Sequence, residues 1–235
     1  MTDLYAALAT GMTGTAGRVV VGLNWTMVEG PAGIGVAHTP ARGTAGCRST
    51  PNPGDYAGAP LAELARLAAS DQPFEKAIGI AAVNAHWNRF NLEGETVNGL
   101  DLVEPRGERT VVIGRFPGLD ERLPGCAVIE REPGPRDHPE SAAADLLPRA
   151  EQVVITASAL ANGSLPGFLA LLPRTAYAVL LGPGTPLSPY LFEAGFAALS
   201  GLVVRDADAF TRTVAEGGAV AAFKRHARYV TIRAR

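Results

Sequence analysis

The sequence predicts an α/β protein in which a small α+β unit precedes a Rossmann-like, doubly wound, mainly parallel sheet. In the second half of the chain, continuously apolar runs alternate with amphipathic helical stretches, which is typical of a parallel sheet covered by helices on both faces. In the first half, strands come first and helices follow, which is typical of an α+β unit. We therefore expect two domains, at residues 1–95 and 96–235.

The first unit is expected to begin with a short helix at residues 4–10. Apolar residues recur at every second position of "RVVVGLNWTMVEG", which predicts a strand that bends near Gly22. A shorter strand, "GIGVAHTP", follows the hairpin-like segment "EGPAG". Residues 41–58 are rich in Gly, Pro, Ser and Asn and predict an irregular loop. Two helices come next, each with a proline in its tolerant first turn: "PLAELARLAAS" and "PFEKAIGIAAVNAHWNRF".

The second unit contains six apolar runs that predict strands: "TVVIGRF", "CAVIERE", "QVVITAS", "YAVLLG", "GLVVRD" and "YVTIRAR". Helices are expected between most of them, at "PESAAADLLPRA", "SLPGFLALL", "SPYLFEAGFAALS" and "DADAFTRTVAEGGAVAAFKRHA". In an open parallel sheet, ligands bind beyond the carboxyl ends of the strands. The residues that follow each strand are therefore the candidates for a functional site.

Composition limits the classes of partner. The chain of 235 residues is 47% hydrophobic and 19% charged, which indicates a globular protein. The formal net charge is −2 and neither half is basic, so we expect no nucleic-acid partner. No apolar stretch approaches the ~20 residues of a membrane span, and the N-terminus does not resemble a signal peptide. We expect a cytoplasmic protein with a small-molecule ligand and no membrane partner; a homodimer is the common base case.

Polar residues follow the third strand of the second unit, in "VVITASALANGSL". Thr156, Ser158 and Asn162 are expected to line the crest of the sheet, with Ser164 as the N-cap of the next helix. Capping explains Ser164 but not the other three together, which favours a ligand role. The loop after the fourth strand, "GPGTPLSP", is rigid and presents Thr185 and Ser188. This loop either shapes a pocket or only turns the chain.

The first two strands end in weaker signals. The segment "IGRFPGLDERLPG" lacks the G-x-G-x-x-G spacing, and Pro117 removes an amide, so a dinucleotide site is weakly supported. Glu130 and Glu132 end the second strand. An acid at this place either holds a ribose diol, as in nucleotide or adenosylmethionine sites, or is a solvated strand end.

Other catalytic patterns are missing or weak in the sequence. It shows no Ser-His-Asp order, no G-x-S-x-G and no H-E-x-x-H, and its four histidines are scattered. Cys47 and Cys126 are too few and too far apart for a disulfide framework or a zinc knuckle. Asn84 interrupts an apolar helix, where a buried amide without partners costs about 1–3 kcal/mol. It either caps a neighbouring loop or reaches into a cleft between the two units.

Taken in order, several motifs resemble those of the proteins described as putative heavy-metal chelation proteins, formerly a domain of unknown function. These motifs are "GIGVAHTP", "AIGIAAVNA", "VVIGRFPGL", "VIEREP", "VVITASALANGSL" and "VLLGPGTPLSPYLFEAGFAALSG". The match covers most of the chain. The resemblance implies a domain similar to the enolase N-terminal fold, followed by a Rossmann-like domain, with the active site in the cleft between them.

The resemblance also implies roles for individual residues. It suggests catalytic roles for Glu130, Asn84 and Asn162. It suggests ligand binding by Arg115, Phe116, Pro117, Ser158, Ser164, Gly182, Pro183 and Thr185. Two features depart from the family pattern: residues 41–58 are individual to this chain, and His38 stands where an aromatic such as tyrosine is expected. The resemblance therefore assigns no metal role to His38 or Cys47.

Our leading hypothesis is a small-molecule-binding protein or enzyme acting on a metal ion, metal chelate or chelator precursor in the interdomain cleft. Glu130 would be an anionic ligand or general base, and the guanidinium of Arg115 would pair with a substrate carboxylate. Asn84, Ser158 and Asn162 would orient the ligand. Such an oxygen-rich pocket suits carboxylate-bearing chelators better than a soft metal bound by thiolates. The alternatives are a nucleotide- or S-adenosylmethionine-dependent transferase and a non-catalytic regulatory or assembly subunit.

Overall fold

The computed structural model describes residues 4–40 and 49–234, and its first part is a small antiparallel sheet packed against a long helix. The elements are α1 (Leu4–Leu8), β1 (Val19–Val21), β2 (Trp25–Glu29), β3 (Ile34–His38), α2 (Leu61–Arg66) and α3 (Pro73–Trp87). The strands lie in the order β1-β2-β3, and both pairings are antiparallel. A 3-10 turn, Leu67–Ala69, follows α2.

The prediction of one bent strand across "RVVVGLNWTMVEG" was wrong, because this segment forms the hairpin β1–β2. The chain reverses at Gly22, whose backbone N–H donates to the carbonyl oxygen of Trp25 (3.1 Å). A Cβ at this position would lie only 2.5 Å from the carbonyl oxygen of Val214, so the turn requires a glycine. The alternation of apolar residues continues through the turn, so the sequence pattern did not indicate where the chain reverses.

Helix α3 is buried on all sides over its central turns, where every residue from Ala77 to Ala85 is buried. Two glycines permit its close packing. A Cβ at Gly35 of β3 would overlap the carbonyl oxygen of Ala81, and a Cβ at Gly79 would overlap the backbone of Ala68. The helix begins where the Gln72 side chain accepts a hydrogen bond from the Glu75 N–H (2.8 Å).

The second part is a seven-stranded sheet with helices between its strands. Its elements are β4 (Thr110–Ile113), α4 (Leu119–Arg122), β5 (Ala127–Glu130), β6 (His138–Pro139), α5 (Ala143–Leu146), β7 (Gln152–Thr156), α6 (Ser158–Ala161), α7 (Leu165–Leu171), β8 (Tyr177–Leu181), α8 (Pro189–Glu193), β9 (Phe196–Val204), α9 (Ala207–Ala215), α10 (Val220–Phe223) and β10 (Ala227–Arg233). The order is β10-β9-β8-β7-β4-β5-β6, and every pairing is parallel except β9–β10. The predicted α/β fold class, a mainly parallel sheet preceded by a small α+β unit, is confirmed.

Two of the predicted helices are wrong in extent. The helix predicted across "SPYLFEAGFAALS" ends at Glu193, and the following segment begins β9. Gly195 separates the two with a positive φ of 107°, a conformation that L side chains rarely adopt. The long helix predicted across residues 206–227 is divided into α9 and α10 in the same way, at Gly217 with φ 82°. All six predicted strands are present, and the two-residue β6 adds a seventh.

One apolar core extends through both parts of the chain. It contains Val28 and Ile80 from the first part and Ile155 and Leu180 from the sheet, all fully buried. The first part is therefore packed directly on the second. Among the described residues, no helix combines the length and apolar character needed to cross a bilayer.

Candidate functional site

A cavity of about 600 Å³ lies over the carboxyl ends of β4, β5 and β7, and we call it the cleft. In the sheet, β5 lies on one side of β4 and β7 on the other, so the loops after β4 and β7 diverge. Ligands of doubly wound sheets bind at such a switch point. The edge of the sheet contributes Ile113, Gly114, Arg115, Ile129, Glu130, Thr156 and Ser158 to the lining.

The first part of the chain covers the other side of the cleft. It contributes His38 at the end of β3, Pro40 just after it, and Asp71, Pro73 and Lys76 around the start of α3. The volume lies within the range of roughly 300–1,000 Å³ that is typical of small-molecule sites. A more open depression of about 830 Å³ adjoins the cleft and shares four of its lining residues, His38, Arg115, Glu130 and Arg131.

Backbone amides on both sides hold the carboxylate of Glu130, the last residue of β5. The Arg115 N–H donates to Oε2 and the Arg131 N–H donates to Oε1, both at 2.8 Å. Each carboxylate oxygen can accept more than one hydrogen bond, so both keep acceptor capacity for a ligand. The carboxylate is thus fixed in orientation at the wall of the cleft.

Two carboxylates of the chain itself engage the guanidinium of Arg115. Its Nη2 lies 2.7 Å from Oδ1 of Asp137 and its Nη1 lies 3.2 Å from Asp120. The Asp137 side chain is only 4% exposed, and the Gly134 N–H also donates to it. This guanidinium holds the pKa of Asp137 below its ordinary value. We expected the guanidinium of Arg115 to pair with a substrate carboxylate, but it pairs with two carboxylates of the protein itself. The backbone N–H of Arg115 donates to the carboxylate of Glu130.

The polar turn after β7 lines the cleft with Thr156, Ser158, Asn162 and Ser164. Ser164 does not cap α7 with its side chain as predicted. Its hydroxyl donates to Oδ1 of Asn162 (2.7 Å), and its backbone N–H donates to the same oxygen (2.9 Å). Ser164 also has helical dihedral angles, φ −82° and ψ −18°, whereas a capping serine is extended.

Asn84 is fully buried and joins the first part to the loop after β8. Its Nδ2 donates to the carbonyl oxygens of Val36 (2.8 Å) and Gly184 (2.9 Å). It lines neither the cleft, nor the open depression beside it, nor a narrower cavity next to Gly182. Of the two roles considered for this amide, capping a neighbouring loop is the one that the geometry supports, so we propose no catalytic role for it.

The remaining candidates divide into two groups. Gly182 and Pro183 line a narrow cavity of about 20 Å³ beside Ser158 and His38. Phe116 packs on an apolar cluster under the sheet, Pro117 is exposed, and Thr185 is fully buried. Phe116, Pro117 and Thr185 line neither the cleft, nor the open depression beside it, nor this narrow cavity. Their predicted contact with a ligand stays without geometric support.

The cleft also contains residues that the sequence analysis missed: Asp71, Lys76, Arg131 and Glu140. The Nζ of Lys76 donates to the carbonyl oxygen of Ala68 (3.0 Å) and lies 4.7 Å from the centre of the Tyr5 ring. One feature of the sequence could have identified Lys76 as a candidate, because it is a cation directly beside the apolar run of α3. Nothing local in the sequence shows that this stretch of α3 meets the turn after β7.

His38 occupies a junction, since it lines all three cavities. Its ring packs edge-on against Trp25 with the ring centres 5.8 Å apart. The side chain is exposed to solvent, yet its partial burial lowers the pKa of His38 below its ordinary value. The imidazole is therefore neutral near pH 7, the form that can bind a metal ion.

The donor set bears on the kind of metal site that is possible. Within residues 4–40 and 49–234, no group of three or more His, Cys, Asp or Glu side chains is arranged to hold a metal ion. Cys126 is half-buried, and burial raises the pKa of its thiol. Cys47 and part of the predicted loop 41–58 lie outside the described residues. The described donors fit a metal ion only if other ligands complete its coordination.

These features define a class: a two-part α/β protein with a ligand-sized cleft at the switch point of a doubly wound sheet. The chain belongs to the family described as "Putative heavy-metal chelation" (DUF364), whose model matches residues 98–233. A second model with the same description (DUF4213) matches residues 5–87. The resemblance noted from the sequence motifs is confirmed, and the family description relates the chain to metal-related binding.

Two solved structures of proteins of unknown function from the DUF364 family are similar to this chain. One, from Desulfitobacterium hafniense DCB-2, is 28% identical with a TM-score of 0.86, covering 98% of this chain and 97% of the other. The second, from Pyrococcus horikoshii, is 21% identical with a TM-score of 0.78, covering 98% and 96%, and shows the fold alone. A comparison with curated proteins finds no match.

Proposed function

We propose that this protein binds a small metal chelate in the cleft, that is, a divalent cation already held by a carboxylate-bearing molecule. One observation carries the proposal: a fixed carboxylate, Glu130, lines a ligand-sized cleft, while no three donor side chains of the described residues cluster. Divalent cations in proteins take four or more ligands. A chelate supplies most of these ligands itself, so one or two protein donors suffice.

The chemistry of two donors that line the cleft agrees with this proposal. Glu130 offers carboxylate oxygens and His38 offers a neutral imidazole nitrogen. Such nitrogen and oxygen donors suit first-row divalent cations such as Co²⁺, Ni²⁺ and Zn²⁺. We assign Glu130 as the residue that contacts the cation and Arg115 as a positioning residue, because the Arg115 N–H holds the carboxylate.

Isothermal titration with Ni²⁺ alone and with nickel citrate tests the proposal. We expect nickel citrate to bind at least about tenfold more tightly than Ni²⁺ alone, since each factor of ten corresponds to about 1.4 kcal/mol of added contacts. Glu130→Gln should weaken nickel citrate binding by a similar factor. Glu108→Gln is the matched control, because Glu108 precedes β4 at the opposite end of the strands and should leave binding unchanged.

The contrary result is also specific. If Ni²⁺ alone binds more tightly than nickel citrate and this binding is lost in Cys47→Ser, the chain binds bare metal through a thiolate and the proposal is wrong. Chelate binding by the wild type that disappears in Glu130→Gln would also exclude the alternative of a regulatory or assembly subunit with a vestigial cleft.

A nucleotide- or S-adenosylmethionine-dependent transferase is the second candidate, and one observation favours it. The strands β6-β5-β4-β7-β8 follow the 3-2-1-4-5 order of nucleotide-binding sheets, and Glu130 ends the second strand of that order. Against it, the loop after β4 lacks the G-x-G-x-x-G glycine spacing of nucleotide-binding sheets. Equilibrium dialysis with S-adenosylmethionine decides: binding that Glu130→Ala abolishes supports the transferase, and no binding removes it.

A further inference from the structure

The end of the cleft formed by Lys76 and Asn162, here called the donor end, differs in chemistry from the wall at Glu130. We infer that the donor end binds an anionic group of the ligand, a carboxylate or a phosphate, while Glu130 contacts the cation. This inference rests on the proposed function for the Glu130 end only. It assigns the ligand class as a molecule with a free anionic group at one side of a bound cation.

The orientation of the Asn162 amide is determined by its neighbours. A backbone N–H can only donate, so the side-chain atom that receives the Ser164 N–H at 2.9 Å must be the amide oxygen. The same oxygen accepts from the Ser164 hydroxyl at 2.7 Å. The Nδ2 group, with two N–H donors, is therefore the part of this exposed side chain that a ligand in the cleft can meet.

Lys76 brings a positive charge to the same region from the other part of the chain. Its half-buried stem runs along α3, and the Ala68 carbonyl oxygen and the Tyr5 ring hold the ammonium group in place. A Cβ at Gly163 would lie 3.9 Å from Cε of Lys76, so the lysine passes close to the turn that carries Asn162. The donor end thus combines the ammonium group of Lys76, from the first part of the chain, with the amide of Asn162, from the second.

Two groups that can only donate hydrogen bonds favour a ligand rich in acceptors. An ammonium has no acceptor atom, and the Asn162 oxygen is used by Ser164. A carboxylate or phosphate with several acceptor oxygens is the complement of the donor end.

The test uses metal-free citrate and inorganic phosphate as probes, measured by isothermal titration on the full chain. Asn162→Asp keeps the oxygen that accepts from Ser164 and replaces the Nδ2 donor with a charged acceptor, so citrate affinity should fall at least about tenfold. Asn98→Asp is the matched control. Oδ1 of Asn98 accepts from the Leu100 N–H (3.0 Å) in the same type of turn, and Asn98 lines none of the three cavities, so affinity should not change.

Lys76 gives an independent arm of the same test. Lys76→Met keeps the apolar stem against Tyr5 and removes the charge, and should also reduce citrate affinity at least about tenfold. Lys76→Arg should restore most of the binding. Where Lys76→Met lowers the thermal unfolding temperature sharply, the exposed Asn162→Asp variant decides alone.

The outcomes separate this inference from the proposed function. If the wild type binds neither citrate nor phosphate, or if Asn162→Asp binds them like the wild type, the inference is overturned. Nickel citrate binding that depends on Glu130 but not on the donor end leaves only the proposed function standing. Citrate binding that depends on the donor end, with no preference for nickel citrate over citrate, supports the anion site at the donor end and overturns the proposed function.

Discussion

Asn84 in α3 and Asn88 directly after its last residue are buried amides, and together they bind four carbonyl oxygens and one backbone N–H. Asn88 donates to the carbonyl oxygens of Thr185 and Leu202 and accepts from the Leu187 N–H. The sequence singled out Asn84, because a polar residue in an apolar run is conspicuous. Asn88 was not conspicuous, since it follows the run at the helix end, where an asparagine is common.

We predict that Asn88→Ala destabilises the protein more than Asn84→Ala. Each backbone group left unpaired costs about 1–3 kcal/mol. Asn84→Ala leaves two such groups without their partner, and Asn88→Ala leaves three. Urea unfolding measures both, with the exposed Asn98→Ala expected to cost about 1 kcal/mol or less. Equal losses of unfolding free energy for Asn84→Ala and Asn88→Ala would contradict this account of the two amides.

Among the elements, the close packing of β3 against α3 shapes the wall that the first part contributes to the cleft. Strand β3 carries His38 at its end and α3 carries Lys76 at its start, so their mutual distance shapes one side of the cleft. The periodicity predicted both elements correctly. It could not predict their separation, which depends on Gly35 lying against the backbone of the helix.

We therefore expect Gly35→Ala to reduce the free energy of unfolding by about 2–3 kcal/mol through overpacking, and to weaken nickel citrate binding as well. Gly167→Ala is the opposite case, because nothing lies within 4 Å of its added methyl group. Its position in α7 predicts a gain of about 0.5–1 kcal/mol from helix propensity. Chemical denaturation of both variants checks the sign, and a neutral Gly35→Ala would show that β3 can move away from α3.

For the whole molecule, the decisive feature is the single apolar core that includes residues from both parts of the chain. The division at residue 95 follows the pattern of the sequence, and the two family models match on either side of it. The shared core and the hydrogen bonds of Asn84 and Asn88 join the parts into one unit. The expected homodimer and the expected compartment stay predictions.

We predict one cooperative unfolding transition for the whole chain. Scanning calorimetry should give equal calorimetric and van't Hoff enthalpies, because neither part can lose the shared core without the other. A fragment of residues 1–95 should be unfolded on its own. Two resolved transitions, or a folded fragment, would show instead that the parts are independent domains that merely touch.

The amino-acid sequence determined the class of fold, the six main strands and the turn after β7, because hydrophobic periodicity and glycine placement act over a few residues. It also pointed to Glu130 at a strand end. Only the tertiary structure decided that Arg115 is held by Asp120 and Asp137, that Asn84 joins the two parts, and that Lys76 and Asn162 line one cleft. These contacts join residues far apart in the chain, and no local pattern encodes which distant groups come together.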